Sequence, residues 1–155
     1  MLEPITRSVT VECNQETAFN VFIHELGTWW PHAPFTVSAM KEIGVRSITV
    51  DAQVGGKIIE TGEDGESFTW GTITDYNPFD SLKMDFHIPA PGTPNDVFTF
   101  IEMTFTPLTD SSTKVDLLQT NFGALGDMAE PSHQGYGFAW TPIFEQAYAN
   151  ACANA

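Results

Sequence analysis

Residues 45–121 leave this chain little freedom in how it folds, because six β-prone runs follow one another there with only short turns between them. The runs are residues 48–53, 57–61, 68–76, 82–87, 97–106 and 113–121. They are rich in β-branched and aromatic side chains and are bounded by turn formers. Gly55-Gly56, Glu63-Asp64-Gly65, Asn77-Pro78, residues 91–95 and residues 110–112 supply the turns. Connections this short cannot hold a parallel crossover, so the strands form an antiparallel meander. Ile101, Met103 and Phe105 alternate with Glu102 and Thr104, and Val115 and Leu117 with Lys114 and Asp116. One face of the sheet is therefore covered and the other largely wet.

The segments flanking the meander must supply the cover. Residues 5–12 read as an opening strand. Asn14 then caps a helix that carries Ala18, Phe19, Phe22, Ile23 and Leu26 at helical spacing, with Gly27 as its stop. In Trp29-Trp30-Pro31-His32-Ala33-Pro34-Phe35 the prolines limit any helix to one short turn before a loop. Adjacent tryptophans there point different ways, one towards the core and one towards a cavity or its mouth. At the far end Trp140, Ile143, Phe144, Ala147 and Ala151 form an apolar stripe at helical spacing. Pro142 fits a first turn, so this helix is predicted to begin within residues 139–141, with residues 127–137 as loop and Gly123, Gly126, Gly135 and Gly137 as loop glycines. The expected fold class is α+β: a curved antiparallel sheet of about seven strands around a long C-terminal helix, with two short helices after the first strand. A twisted sheet closing on a single helix leaves a gap where packing is incomplete.

The 155 residues suit one domain spanning 1–155. A net charge of -14 repels nucleic acid and anionic membrane surfaces. Neither partner is expected, and no apolar run approaches the length of a membrane span. The first residues lack the apolar core of a signal peptide, and Cys13 and Cys152 form no disulfide framework. A cytoplasmic location with free thiols acting as small apolar filler is the expectation.

Several pieces occur in a recognisable order: Trp29-Trp30-Pro31, Val54-Gly55-Gly56-Lys57-Ile58-Ile59-Glu60, Glu63-Asp64-Gly65, Trp70-Gly71-Thr72-Ile73, Pro78, Leu82, Thr113-Lys114-Val115 and Trp140-Thr141. Together, along essentially the whole chain, they resemble the START-related (SRPBCC) superfamily. Within it they resemble the bacterial branch named for homology to the C-terminal domain of the Hsp90 ATPase activator. The resemblance implies the helix-grip fold and a tendency to bind apolar small molecules, and it implies no shared reaction. Ile58 stands where an aromatic is usual and Phe138-Ala139 where glycines usually open the helix, so the cavity is reshaped.

The candidate ligand-binding residues are Trp29, Trp30, Phe35, Ile58, Glu60, Phe86, Phe122, Trp140 and Phe144. The aromatic members either converge on the cavity or simply fill the core. Glu60 and His32 are the weak catalytic candidates. Glu60 shares strand parity with Ile58, and a carboxylate in an aromatic cavity can serve as acid or base. The commoner use of such a residue is an exposed strand position paired with Lys57 or Arg46. His32 follows the double Trp and reaches the cavity mouth in this reading. His24, His87 and His133 lack metal-ligand spacing and are assigned surface or cap roles, so no metal and no cofactor are expected. If Ile73 packs inward, Gly71 does too and lets the terminal helix approach, while Trp70 faces out as either an ordinary exposed aromatic or an interface anchor for a homodimer. Three functions follow: binding of a small apolar or aromatic molecule without covalent chemistry, an enzyme of cyclase or hydrolase type, and a chaperone-associated interaction module.

Overall fold

The computed structural model describes residues 2–155. Strand β1 (Ile5–Val11) is followed by helices α1 (Gln15–Ile23), α2 (Leu26–Trp29) and α3 (Val37–Met40). Strands β2 (Val45–Val50), β3 (Lys57–Gly62), β4 (Ser67–Asn77), β5 (Ser81–Phe86), β6 (Thr99–Thr109) and β7 (Ser112–Thr120) come next. They form one seven-stranded sheet in the order β1-β7-β6-β5-β4-β3-β2, and every pairing is antiparallel. This is the helix-grip arrangement, with the first and second strands in the chain at opposite edges. The Asn14 side chain accepts from the Thr17 amide at 2.8 Å and starts α1, which is the expected cap.

The C-terminal helix is longer than the sequence reading allows. Two short 3-10 turns spanning Phe122–Met128 break at Gly126, and α4 (Ala129–Trp140) begins directly after them. A π-helical segment (Thr141–Tyr148) and α5 (Ala149–Ala153) complete it. The predicted loop over 127–137 is thus mostly helix, and Gly135 and Gly137 are helical residues. Pro131 lies in the first turn of α4, where a missing amide is tolerated. Pro142 lies inside the π segment, whose i→i+5 bonding pattern differs from the α-helical ladder that a proline normally interrupts.

Ile101, Met103, Phe105, Val115 and Leu117 face inward and are buried, against Phe19, Phe22, Phe144 and Tyr148. Phe19 meets Phe105 edge-on at 5.1 Å between ring centres, and Phe144 stacks on Tyr148 at 5.6 Å. Burying rings of this size contributes about 1.5–3 kcal/mol each relative to exposure. One polar chain crosses the same interior: Trp140 Nε1 donates to Gln119 Oε1 at 2.9 Å, Gln119 Nε2 to Thr99 Oγ1 at 3.0 Å, and Thr99 Oγ1 to the Phe86 carbonyl at 2.5 Å. Every member has a partner, so the chain orients Trp140 without an unsatisfied group.

The β4 reading needs correction. Ile58 pairs with Gly71 and Ile59 with Thr69, which leaves Trp70 as the extra residue of a β-bulge. The bulge breaks the period-two alternation, so Trp70 is fully buried and provides no interface anchor. Gly71 accommodates β5 rather than the terminal helix, because a Cβ there would lie 1.8 Å from the Asp85 carbonyl oxygen.

Candidate functional site

Trp29 and Trp30 diverge. Trp29 donates its Nε1 hydrogen to the Val21 carbonyl at 2.7 Å and packs among Phe22 and Tyr148, in the core. Trp30 donates to the Phe35 carbonyl at 2.8 Å and sits at the centre of an aromatic cluster with Trp70, Phe86 and Trp140. Space between the sheet and the Trp140–Phe144 stretch is filled by these rings. Beside Trp30, between the helix and the segment after α2, lies a half-open cleft of about 190 Å³.

Three walls form the cleft. One is the segment after α2, with Trp30, Pro34, Phe35 and Met40. The second is the end of β5, with His87 and Ile88. The third is the C-terminal helix, with Ser132, Gly135, Tyr136, Ala139 and Ile143. These helix residues recur every three or four positions, so they share one face. Small side chains at 132, 135 and 139 keep the helix from filling the space. A Cβ added to Gly135 would meet nothing within 4 Å.

Of the expected ligand-binding residues, Trp30 and Phe35 line this cleft. Trp29, Ile58, Phe86, Phe122, Trp140 and Phe144 are buried and lie outside its lining. Phe86 and Trp140 pack directly behind it, with Phe86 6.1 Å from the Trp30 ring and Trp140 stacked on Tyr136 at 5.9 Å. Phe122 packs edge-on against His133 at 4.8 Å.

Glu60 points inward with Ile58, as parity requires, but it does not reach the cleft. It is fully buried, which overturns the exposed alternative with Lys57 or Arg46. Its Oε1 accepts from the Val37 amide at 2.9 Å and from Trp70 Nε1 at 3.0 Å. Its Oε2 accepts from the Ser38 amide at 2.6 Å and from the Ser38 hydroxyl. Four donors hold the carboxylate, which pins the 36–40 segment to β3. Glu60 thus positions the wall that carries Phe35 and Met40. His32 is exposed, 3.3 Å from the Gly27 carbonyl, and outside the cleft lining.

The polar group that does reach the cleft is His87, assigned above to the surface. It is 6% exposed. The bulge at Trp70 fixes its backbone, since the His87 amide donates to the Trp70 carbonyl at 2.7 Å. Its Nδ1 lies 3.0 Å from the Tyr136 hydroxyl, and that hydroxyl accepts from the Ile88 amide at 2.8 Å. Burial lowers the His87 pKa to about 4, so the imidazole is neutral near pH 7. Burial likewise pushes the Tyr136 phenol well above its ordinary value, so it keeps its proton. The parity of a strand end carried no hint of this pair, because its other half lay in a segment read as loop.

Cys13 and Cys152 are free and buried outside the cleft lining, and burial pushes the Cys152 thiol up to about 12. Among the described residues no helix is long and apolar enough to cross a membrane.

No family model and no curated protein matches the chain. Solved structures do. Its fold is the helix-grip fold of these neighbours. An anthrahydroquino-Gama-pyrone synthase, Txn09, complexed with SUM, is 25% identical with a TM-score of 0.68 over 97% of each chain. CalC, a self-sacrificing resistance protein from Micromonospora echinospora, is 21% identical with a TM-score of 0.63, over 97% of this chain and 92% of its own. Protein MLL2253 from Mesorhizobium loti is 13% identical with a TM-score of 0.64 over 96% of each chain. These likenesses agree with the START-related superfamily that the sequence resembles.

Proposed function

We propose that this protein binds a small planar aromatic molecule in the cleft between α4, the end of β5 and the 30–40 segment. The observation that carries this reading is the make-up of the cleft: apolar and aromatic walls around one convergent polar pair, His87 and Tyr136. Ligand sites have this composition. An engineered apolar cavity of about 150 Å³ admits benzene. A cleft of about 190 Å³ therefore seats one substituted ring, with the remainder extending through the open mouth. The Hsp90-activator branch and a cytoplasmic setting belong to this reading, on the ordered sequence motifs and the two free cysteines.

A cyclase-type enzyme using the same cleft is the second reading. The end-to-end likeness to a synthase at 25% identity favours it. Its polar group would be His87, since the four donors around Glu60 close off that carboxylate and His32 stands outside.

The test is titration with 1-tetralone, a two-ring aryl ketone, read by tryptophan fluorescence. Saturation at one molecule per chain is expected, and Gly135→Leu, which projects a side chain into the cleft, should abolish it while the circular dichroism stays unchanged. Binding that survives Gly135→Leu would put the site elsewhere.

A further inference from the structure

We infer that the cleft selects ligands bearing a neutral carbonyl oxygen, which accepts a hydrogen bond from Nε2–H of His87, and that Tyr136 is the positioning residue that fixes this tautomer. The inference rests on the cleft being the binding site.

The hydrogen positions follow from partner counting. The Tyr136 hydroxyl has one hydrogen. Its oxygen already accepts from the Ile88 amide, which cannot do other than donate. Among the described residues His87 Nδ1, 3.0 Å away, is the one acceptor within hydrogen-bond distance of that hydroxyl's hydrogen, so Nδ1 accepts it. A neutral imidazole carries a single hydrogen, so it resides on Nε2. Nε2 has no partner among the described residues, yet among them no buried side-chain nitrogen or oxygen lacks one. Nε2 is thus open to accessible space, on a residue that lines the cleft. The Trp30 and Tyr136 hydrogens are both committed elsewhere. Besides His87, the Ser132 hydroxyl is the remaining side-chain N–H or O–H group of the lining, and it can turn to donate or accept.

A fixed donor on the wall of a largely apolar cleft asks for an acceptor on the ligand. A carbonyl suits it better than an anionic oxygen, because the imidazole is neutral and the chain carries a net charge of -14. Aryl ketones, quinones and pyrones have the right combination of flat ring and neutral acceptor. A donor held ready in a largely dry site also stabilises negative charge developing on that oxygen, as enolisation or conjugate addition requires.

Affinities for 1-tetralone and for tetralin, which has a methylene in place of the carbonyl, decide the matter. One net hydrogen bond predicts a three- to tenfold preference for the ketone, roughly. His87→Phe should abolish that preference, read as the ratio of the two affinities in the same variant, bringing it to one or below. Long-range ¹⁵N NMR of the unaltered protein should show His87 with a pyrrole-type Nε2 that shifts on adding 1-tetralone but not tetralin. Tyr136→Phe should release the tautomer, so that Nδ1 takes on pyrrole character and the preference falls. Equal affinity for the two compounds, or an Nδ1–H tautomer in the unaltered protein, would overturn the inference and leave the binding site standing. If neither compound binds, the binding reading falls and takes this inference with it.

Discussion

The two ends of the interior are built from the same kinds of side chain and reach opposite outcomes. At one end, Phe144 and Tyr148 of the C-terminal helix pack in one buried cluster with Phe19, Phe22 and Phe105, and the space is full. At the other, the same helix offers Ser132, Gly135 and Ala139 to Trp30 and Phe35, and a cleft remains. The difference lies in what the inner helix face carries: Phe144 and Tyr148 at the packed end, and Ser132, Gly135 and Ala139 beside Tyr136 at the open one. Aromatic content alone therefore does not mark a binding site here; the site is where aromatics face small residues. His87 belongs to the open end, and its neutral state depends on the dryness of walls that are otherwise apolar.

Truncation at the packed end should have the largest effect. Phe144→Ala should destabilise the protein by about 3–5 kcal/mol, because the ring is fully buried and its neighbours cannot close the void. Urea unfolding measures this, and the affinity for 1-tetralone should be unchanged in the folded fraction. A loss below about 1 kcal/mol, or a change in affinity, would mean that the two ends are not separate.

Acidification probes the open end more gently. The folded-state pKa of His87 lies below its unfolded value of about 6.5, so the unfolded chain binds the extra proton first. The stability tied to the neutral imidazole is complete above about pH 6.5 and is lost as pH falls towards 4. Water at the cleft mouth moderates the loss, so between pH 7 and pH 4.5 the protein should lose about 1–2 kcal/mol more than His87→Phe does. Parallel pH curves for the two would contradict the buried, neutral histidine.

The smallest effect sharpens the comparison by reversing its sign. Gly135→Ala should stabilise the protein by about 0.5–1 kcal/mol, since alanine favours the helix and its methyl meets only open space. Thermal unfolding would show a modest rise, and a fall would mean that the helix is packed more closely there than the cleft implies.

Legibility in the sequence followed the range of the interaction. The meander was readable because its turns and alternation are local, and so was the Asn14 cap. Trp70 was misplaced because a bulge, which depends on how β3 pairs, shifts the count by one. The first half of the terminal helix was missed because Pro131, Gly135, Gly137 and Pro142 are helix breakers taken singly. In the fold Pro131 occupies a first turn, Gly135 faces the cleft, Gly137 lies beside Arg7, and Pro142 falls in a π segment. The inward direction of Glu60 followed from parity, but its four donors come from residues 37, 38 and 70, which no local pattern brings together. His87 was lost for the same reason, its partner being 49 residues away.

The π segment has a bearing on what lengths this helix can have. Each α-helical residue turns the chain by about 100°. Removing one residue between 141 and 148 to restore an ordinary ladder would swing the small-residue face away from the one that bears Phe144 and Tyr148. Either the aromatic plug or the floor of the cleft would then turn outward. Arg7 spans the same junction, donating to the Gly137 carbonyl at 2.8 Å and standing 3.6 Å from Glu145. It grips the helix on both sides of the wide turn. In a lineage of such proteins, insertions and deletions should gather in the hairpin loops and leave this stretch at constant length.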